Sequence, residues 1–113
     1  MMKLSEVTGL LSDYEEEALK SRLYQRVKDS YPWRYVDIMP GWGKLIDRLD
    51  QEINLVDSGY SLQQVKIKWG GLRYYIVCDP DLRDDIDDII SQAETLANLI
   101  DSETGEHVPE ESV

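Results

Sequence analysis

Apolar positions recur at helical spacing in three stretches of this chain and alternate at strand spacing in two, and the succession of those periods sets the expected architecture. From Asp13 to Ser30, the residues Ala18, Leu19, Leu23 and Val27 share one face. Ser12 or Asp13 stands where a cap belongs, and Glu15, Glu16 and Glu17 follow in the first turn, where carboxylates suit the positive end of a helix. Pro32 ends this first predicted helix, and Tyr31-Pro32-Trp33-Arg34-Tyr35 opens an aromatic connection that runs to Pro40. A second predicted helix spans Gly41 to about Asp57, because Trp42, Leu45, Ile46, Leu49, Ile53 and Val56 form a stripe at three- and four-residue steps. Asp57-Ser58-Gly59 supplies its stop signal.

Two short alternating segments come next, Gln63 to Trp69 and Leu72 to Cys78, joined by Gly70-Gly71, a pair able to take the positive φ of a tight hairpin turn. That turn sets Trp69 opposite Leu72, Ile67 opposite Tyr74 and Val65 opposite Ile76, an apolar face that needs helices to cover it. The other face carries Lys66, Lys68, Arg73 and Tyr75, with Lys68 directly across from Arg73. Asp79-Pro80 reads as a cap and first position of a third helix, with an inner stripe of Leu82, Ile86, Ile89, Ala93, Leu96 and Ile100 and a densely acidic outer face. The expected fold is therefore a small single-domain α+β protein over residues 1–100, in the order α-α-β-β-α, with a two-stranded antiparallel hairpin packed on helices. Residues 101–113, poor in anything to bury, read as a loose acidic tail.

At 113 residues there is room for one core. The apolar runs are far below the roughly 20 residues needed to span a bilayer, so no membrane partner is expected. Met1 to Leu11, broken by Lys3, Glu6 and Gly9, lacks the apolar stretch of a signal peptide. Cys78, the lone cysteine, has no internal partner for a disulfide, which agrees with a cytoplasmic protein. The net charge of −11 is unevenly placed: residues 1–83 hold all 12 Lys and Arg, whereas residues 84–113 hold acids and no base. Such a surface repels nucleic acid and attracts basic proteins at a rate that falls with salt, so direct nucleic-acid binding is not expected.

Candidate chemistry is sparse. The lone histidine, His107, falls in the expected tail and Cys78 in the inward register of its strand, so a nucleophile–base pair is not expected, and neither is an enzyme. The acids from Asp79 to Asp88 fail the calcium-loop pattern, since Asp84 and Ile90 stand where a glycine and a glutamate are required. Asp84-Asp85-Ile86-Asp87-Asp88 shares a spacing with the magnesium motif of prenyl-diphosphate synthases, but those enzymes need a large all-helical chamber. No metal or other cofactor is expected. Two binding surfaces remain. One is the acidic face of Asp81, Asp84, Asp85, Asp87 and Asp88; the other is an aromatic and basic group of Trp33, Arg34, Tyr35, Lys66, Lys68 and Arg73. Solvated helix charges and core aromatics are the plain alternatives for the same residues.

Gly41-Trp42-Gly43-Lys44-Leu45-Ile46-Asp47 and Gln64-Val65-Lys66-Ile67-Lys68-Trp69-Gly70-Gly71-Leu72-Arg73-Tyr74-Tyr75 resemble a group of small phage and prophage proteins. In that group a Gly-Trp opening an amphipathic helix precedes a Gln-Val-Lys-Glu-Lys-Phe-Gly-Gly-Leu-Arg-Phe-Tyr hairpin. The resemblance covers roughly residues 41–100. Relatives often end in a cysteine-rich stretch that looks zinc-binding; Asp101-Ser102-Glu103-Thr104-Gly105 has no cysteine, so zinc does not carry over. What the resemblance implies is a mobile-element origin and a place in the host cytoplasm. By analogy with acidic phage proteins that occupy phosphate sites, anti-CRISPR proteins among them, the expectation is an inhibitor of a basic, nucleic-acid-handling host defence protein. An immunity or antitoxin-like protein and a homodimeric structural module joined at the hairpin edge are the alternatives.

Overall fold

A computed structural model describes residues 10–27 and 33–107. Ser12 caps α1 (Asp13–Arg26): its hydroxyl accepts from the Glu15 amide while the Glu15 carboxylate accepts from the Ser12 amide, a reciprocal capping box. The helix stops before the expected Ser30. Val27 turns extended and bridges in parallel to Leu62, while Lys28 to Pro32 lie outside the described residues. Leu19 and Leu23 are the buried anchors of α1, and Ala18 is exposed.

A short strand, β1 (Tyr35–Val36), leads through a 3-10 turn over Pro40–Trp42 into α2 (Gly43–Val56). β2 (Ser61–Lys68) and β3 (Gly71–Val77) form the hairpin, and a second 3-10 turn at Pro80–Leu82 opens α3 (Arg83–Ala97). The sheet is three-stranded and mixed, in the order β1-β2-β3, because β1 lies parallel to β2 with Tyr35 beside Gln64 and Val36 beside Val65. A parallel neighbour needs a long crossover, and α2 is that crossover. The two-stranded hairpin expected from the sequence is thus the antiparallel part of a larger sheet.

The hairpin register also differs from expectation. Ile67 pairs with Leu72, Val65 with Tyr74 and Lys68 with Gly71, so the turn is Trp69-Gly70, at φ +56° and +76°. Trp69 leaves the apolar face and stands 90% exposed at the hairpin tip. The like-charged pair is Lys66 with Arg73 rather than Lys68 with Arg73, and a bulge between Leu62 and Gln64 shifts the register farther along. The choice of faces survives this change, and Leu62, Val65, Leu72, Tyr74 and Ile76 are buried beneath the helices.

In α2, Trp42, Leu45, Ile46, Leu49 and Ile53 are buried as the stripe requires. On α3 the buried line is Ile86, Ile90, Ala93 and Ala97, continued by Ile100 beyond its end, while Ile89 and Leu96, and Leu82 in the turn before it, are only partly covered; the helix is rotated slightly from the expected stripe. Asp79 caps the preceding turn by accepting from the Asp81 amide.

Trp42 and Gly41 link the two ends of the domain. The Trp42 indole Nε1 donates to the carbonyls of Ala97, which also accepts from the Ile100 amide, and of Ile100, each at 3.1 Å, tying the start of α2 to the chain at the end of α3. The Gly41 amide donates to the Ser102 carbonyl at 2.7 Å, and a Cβ on Gly41 would meet the Asp101 carbonyl oxygen at 1.9 Å, so a side chain has no room there. Residues 101–107 are therefore not the loose tail expected from Asp101, and 108–113 lie outside the described residues. Residues 101–107 fold back in a closed turn, with Asp101 Oδ1 accepting from the Glu103 and Thr104 amides and His107 bridging to Ile100.

Candidate functional site

Three places gather polar chemistry: the outer face of α3, the sheet face away from the helices, and the seam between α1 and α2. On α3, Asp84, Asp85, Asp87 and Asp88 are exposed, and Asp81 is exposed in the turn just before it. Asp84 and Asp85 occupy the first helical turn, where the backbone dipole favours a negative charge. Asp87 pairs with Arg83 at 3.0 Å. The carboxylates of Asp81, Asp84, Asp85 and Asp88 meet no cation among the described residues. No three acids, histidines or cysteines converge into a metal-holding group among those residues.

The same helix closes the free edge of the sheet. The Tyr74 amide points away from β2 and donates to Glu94 Oε2 at 3.4 Å, and the Ile76 carbonyl accepts from Arg83 Nη1 at 3.1 Å. An edge strand with its outward groups engaged is a poor template for another strand. Burial pushes the Glu94 carboxyl above the ordinary range, offset in part by the Tyr74 amide and the charge of Arg73.

Of the aromatic and basic residues expected as a patch, Trp33, Tyr35, Lys66, Lys68 and Arg73 come together, on the sheet face that no described helix covers. Tyr35 and Tyr75 flank Gln64 across the three strands, and Lys66 and Arg73 form the adjacent cross-strand pair. Trp33 is 79% exposed, Tyr35 54% and Tyr75 39%. Gln64 Nε2 donates to the Trp33 carbonyl at 2.5 Å, which ties the segment before β1 to the sheet. The repulsion between Lys66 and Arg73 is relieved locally: the Lys66 ammonium lies 5.7 Å from the Tyr75 ring centroid, and the Arg73 guanidinium donates to the Leu72 carbonyl at 2.9 Å. Arg34 is exposed between Trp33 and Tyr35, and Lys68 is exposed at the end of β2. Of the other aromatics in the connection, Tyr31 lies outside the described residues and Trp42 belongs to the core.

The third place was missed by sequence reasoning. Asp50 projects from α2 into the seam with α1 and is fully buried. Arg22 Nε donates to it at 2.8 Å, Arg26 through Nε and through Nη2 at 3.1 Å, and the Tyr60 hydroxyl completes the set. The Tyr60 and Tyr74 hydroxyls lie 2.7 Å apart, Arg22 also binds Asp47, and the Arg26 guanidinium stacks 5.0 Å from the Tyr60 ring centroid. Burial alone raises the Asp50 carboxyl; the bonds from Arg26, Tyr60 and Arg22 outweigh it and hold the group below the ordinary carboxylate range. Burial, the neighbouring Tyr74 and the bond to Asp50 push the Tyr60 hydroxyl upward, and burial does the same to Tyr74, so both phenols stay protonated. Asp50 has its lone pairs engaged and the tyrosines keep their protons, which makes the cluster a cross-brace among α1, α2, β3 and Tyr60 in the turn that leads into β2. The available signal was a complementary spacing, with Arg22 and Arg26 one turn apart on one helix and Asp47 and Asp50 one turn apart on the next.

His107 and Cys78, the remaining reactive types, lie on different elements: His107 in the closing loop and Cys78, partly buried, just after β3. Compared with models of known protein families, with curated proteins and with solved structures, the chain matches none.

Proposed function

We propose that this chain is a non-enzymatic binding domain that docks a basic, nucleic-acid-handling protein through the carboxylates on the outer face of α3, in the manner of an anti-CRISPR-type phage inhibitor. The observation that carries this reading is the contrast in anchoring. The helix is held by Ile86, Ile90, Ala93 and Ala97 on one side, while Asp84, Asp85 and Asp88 on the other are exposed and without a cationic partner among the described residues. Charges on a fixed helix lose little freedom on binding, and a partner built to hold phosphates supplies the cations they lack. The resemblance to phage proteins supports a host defence protein as the partner class. A strand-edge homodimer is less favoured, because Glu94 and Arg83 already engage outward groups of β3.

The test is capture from host lysate at low and high salt, followed by affinity measurement with the purified partner. A basic nucleic-acid-binding protein should be retained at low salt and released as salt rises. Changing Asp84, Asp85, Asp87 and Asp88 together to Asn should abolish retention without altering the thermal transition. Retention unchanged in that variant refutes docking through α3.

A further inference from the structure

The chain's overall acidity argues against nucleic acid, but a charge sum averages two chemically opposite surfaces. The uncovered sheet face displays Tyr35, Gln64, Lys66, Lys68, Arg73 and Tyr75, and the carboxylate that strand alternation brings to it is that of Asp37, just past β1. Lys66 and Lys68 make no ion pair among the described residues. Trp33, Gln63, Gln64 and Tyr75 line an open cavity of about 310 Å³ on this face. The side chain of Gln63, the extra residue of the bulge, makes no hydrogen bond among the described residues, and its amide offers both a donor and an acceptor to the cavity.

We propose that this face is a second binding site, for a short single-stranded stretch of nucleic acid, with Trp33, Tyr35 and Tyr75 as stacking surfaces and Lys66, Lys68 and Arg73 as phosphate contacts. Open sheet faces that combine exposed rings with cations suit single strands, because every base has a π-face and every repeat has an anion. Tyr35 and Tyr75 stand two strand spacings apart, about 10 Å, which leaves room for bases side by side over the sheet. An acidic peptide would answer the cations but leave three ring faces and the Gln63 amide without a role. The site is separate from the α3 carboxylates, and either reading can fail alone.

The experiment measures anisotropy of labelled oligothymidylate and oligouridylate of about a dozen residues, a length chosen to exceed the site. An abasic oligomer of equal length and a polyglutamate peptide serve as comparisons. The intact protein should bind the base-bearing strands at low salt and the abasic strand about tenfold more weakly. Tyr75→Ala should cost about tenfold in affinity with an unchanged circular dichroism spectrum and melting curve. Lys66→Gln with Lys68→Gln should flatten the dependence of log K on log salt by roughly 1.4 in slope, about 0.7 for each lost phosphate contact. The variant with Asp84, Asp85, Asp87 and Asp88 changed to Asn should bind the strands at least as well as the parent. Absence of binding, equal binding of the abasic strand or the peptide, or loss of binding in the α3 variant would each overturn the proposal.

Discussion

Asp50 and Asp88 are the same residue type placed in opposite circumstances. Asp50 sits in the α1–α2 seam, fully buried, with four donated hydrogen bonds from two arginines and a tyrosine. Asp88 stands on the outer face of α3 with no cation beside it among the described residues. A buried carboxylate persists only when its donors replace the lost water, so its energy is committed to the fold. An exposed one is already hydrated, and what it contributes is free to be directed at a partner. Where an acid's donors come from, rather than how many acids a segment holds, separates scaffold from contact surface here.

The largest expected effect lies in the seam. Asp50→Ala removes the acceptor but leaves Arg22, Arg26 and the Tyr60 hydroxyl facing one another, and breaking a buried pair in this way costs about 3–5 kcal/mol. Urea denaturation should show that loss, whereas Asp85→Ala on α3 should stay within about 0.5 kcal/mol of the parent. Comparable losses at the two positions would erase the distinction.

Acid should reveal the same asymmetry. Because Asp50 is held below its ordinary range in the fold, the unfolded chain takes up that proton first as the pH falls. The stabilisation is whole above the unfolded carboxylate pKa, about 4, and drains as the pH drops through the lower folded value. Glu94, pushed upward by burial, has the opposite sign: its share of stability is present in acid and is lost as the pH rises through its folded value. Stability against pH for Asp50→Asn should therefore lack the steep acid limb of the parent, and for Glu94→Gln it should be flatter on the alkaline side of the ordinary glutamate range. An Asp50→Asn curve with the parent's acid limb intact would assign acid sensitivity to other groups.

A smaller effect belongs to the hairpin tip. Trp69 holds φ +56° with its side chain in solvent, and a side chain in the left-handed region costs roughly 1–2 kcal/mol. Asparagine followed by glycine suits this turn, so Trp69→Asn should raise the unfolding free energy by about 1 kcal/mol. A destabilised variant would mean that the indole holds the tip, and exposure would no longer identify residues the fold can spare.

These elements also show what was legible beforehand. The helices announced themselves because stripes such as Leu45, Ile46, Leu49 and Ile53 repeat over several turns, and Ser12 and Asp79 cap where their side chains predict. The two candidate surfaces were legible as residue lists; the structure sets Asp84, Asp85, Asp87 and Asp88 along α3 and Tyr35, Lys66, Lys68 and Arg73 on the open sheet face, whereas Arg34 lies before β1 and has no place in that register. β1 was not legible, since two residues carry no period and the pairing of Tyr35 with Gln64 is a long-range event. The hairpin turn slipped because Trp69-Gly70 and Gly70-Gly71 both offer a glycine, and an exposed tryptophan at positive φ runs against local preference. Asp50 was hidden for a different reason. Read along α2 alone it belongs to the polar side, and it becomes interior when α1 brings Arg22 and Arg26 across it.

The smallest expected change in stability makes the sharpest test of the contrast. Asp84 and Asp88 are one helical turn apart, a like-charge spacing that destabilises a helix by about 0.2–0.5 kcal/mol. Asp88→Lys replaces that repulsion with an acid-to-base pair in the favourable order, acid toward the N-terminus, so unfolding should become harder by a few tenths of a kcal/mol. The same change puts a cation into the surface proposed to meet a basic partner, where like-charge juxtaposition costs several kcal/mol. Stability and partner affinity should therefore move in opposite directions. A fall of more than about 1 kcal/mol in stability would make Asp88 a brace like Asp50. Unchanged capture of the partner would remove α3 from the interface, because a contact surface tolerates a gain in its own stability but not a reversal of its charge.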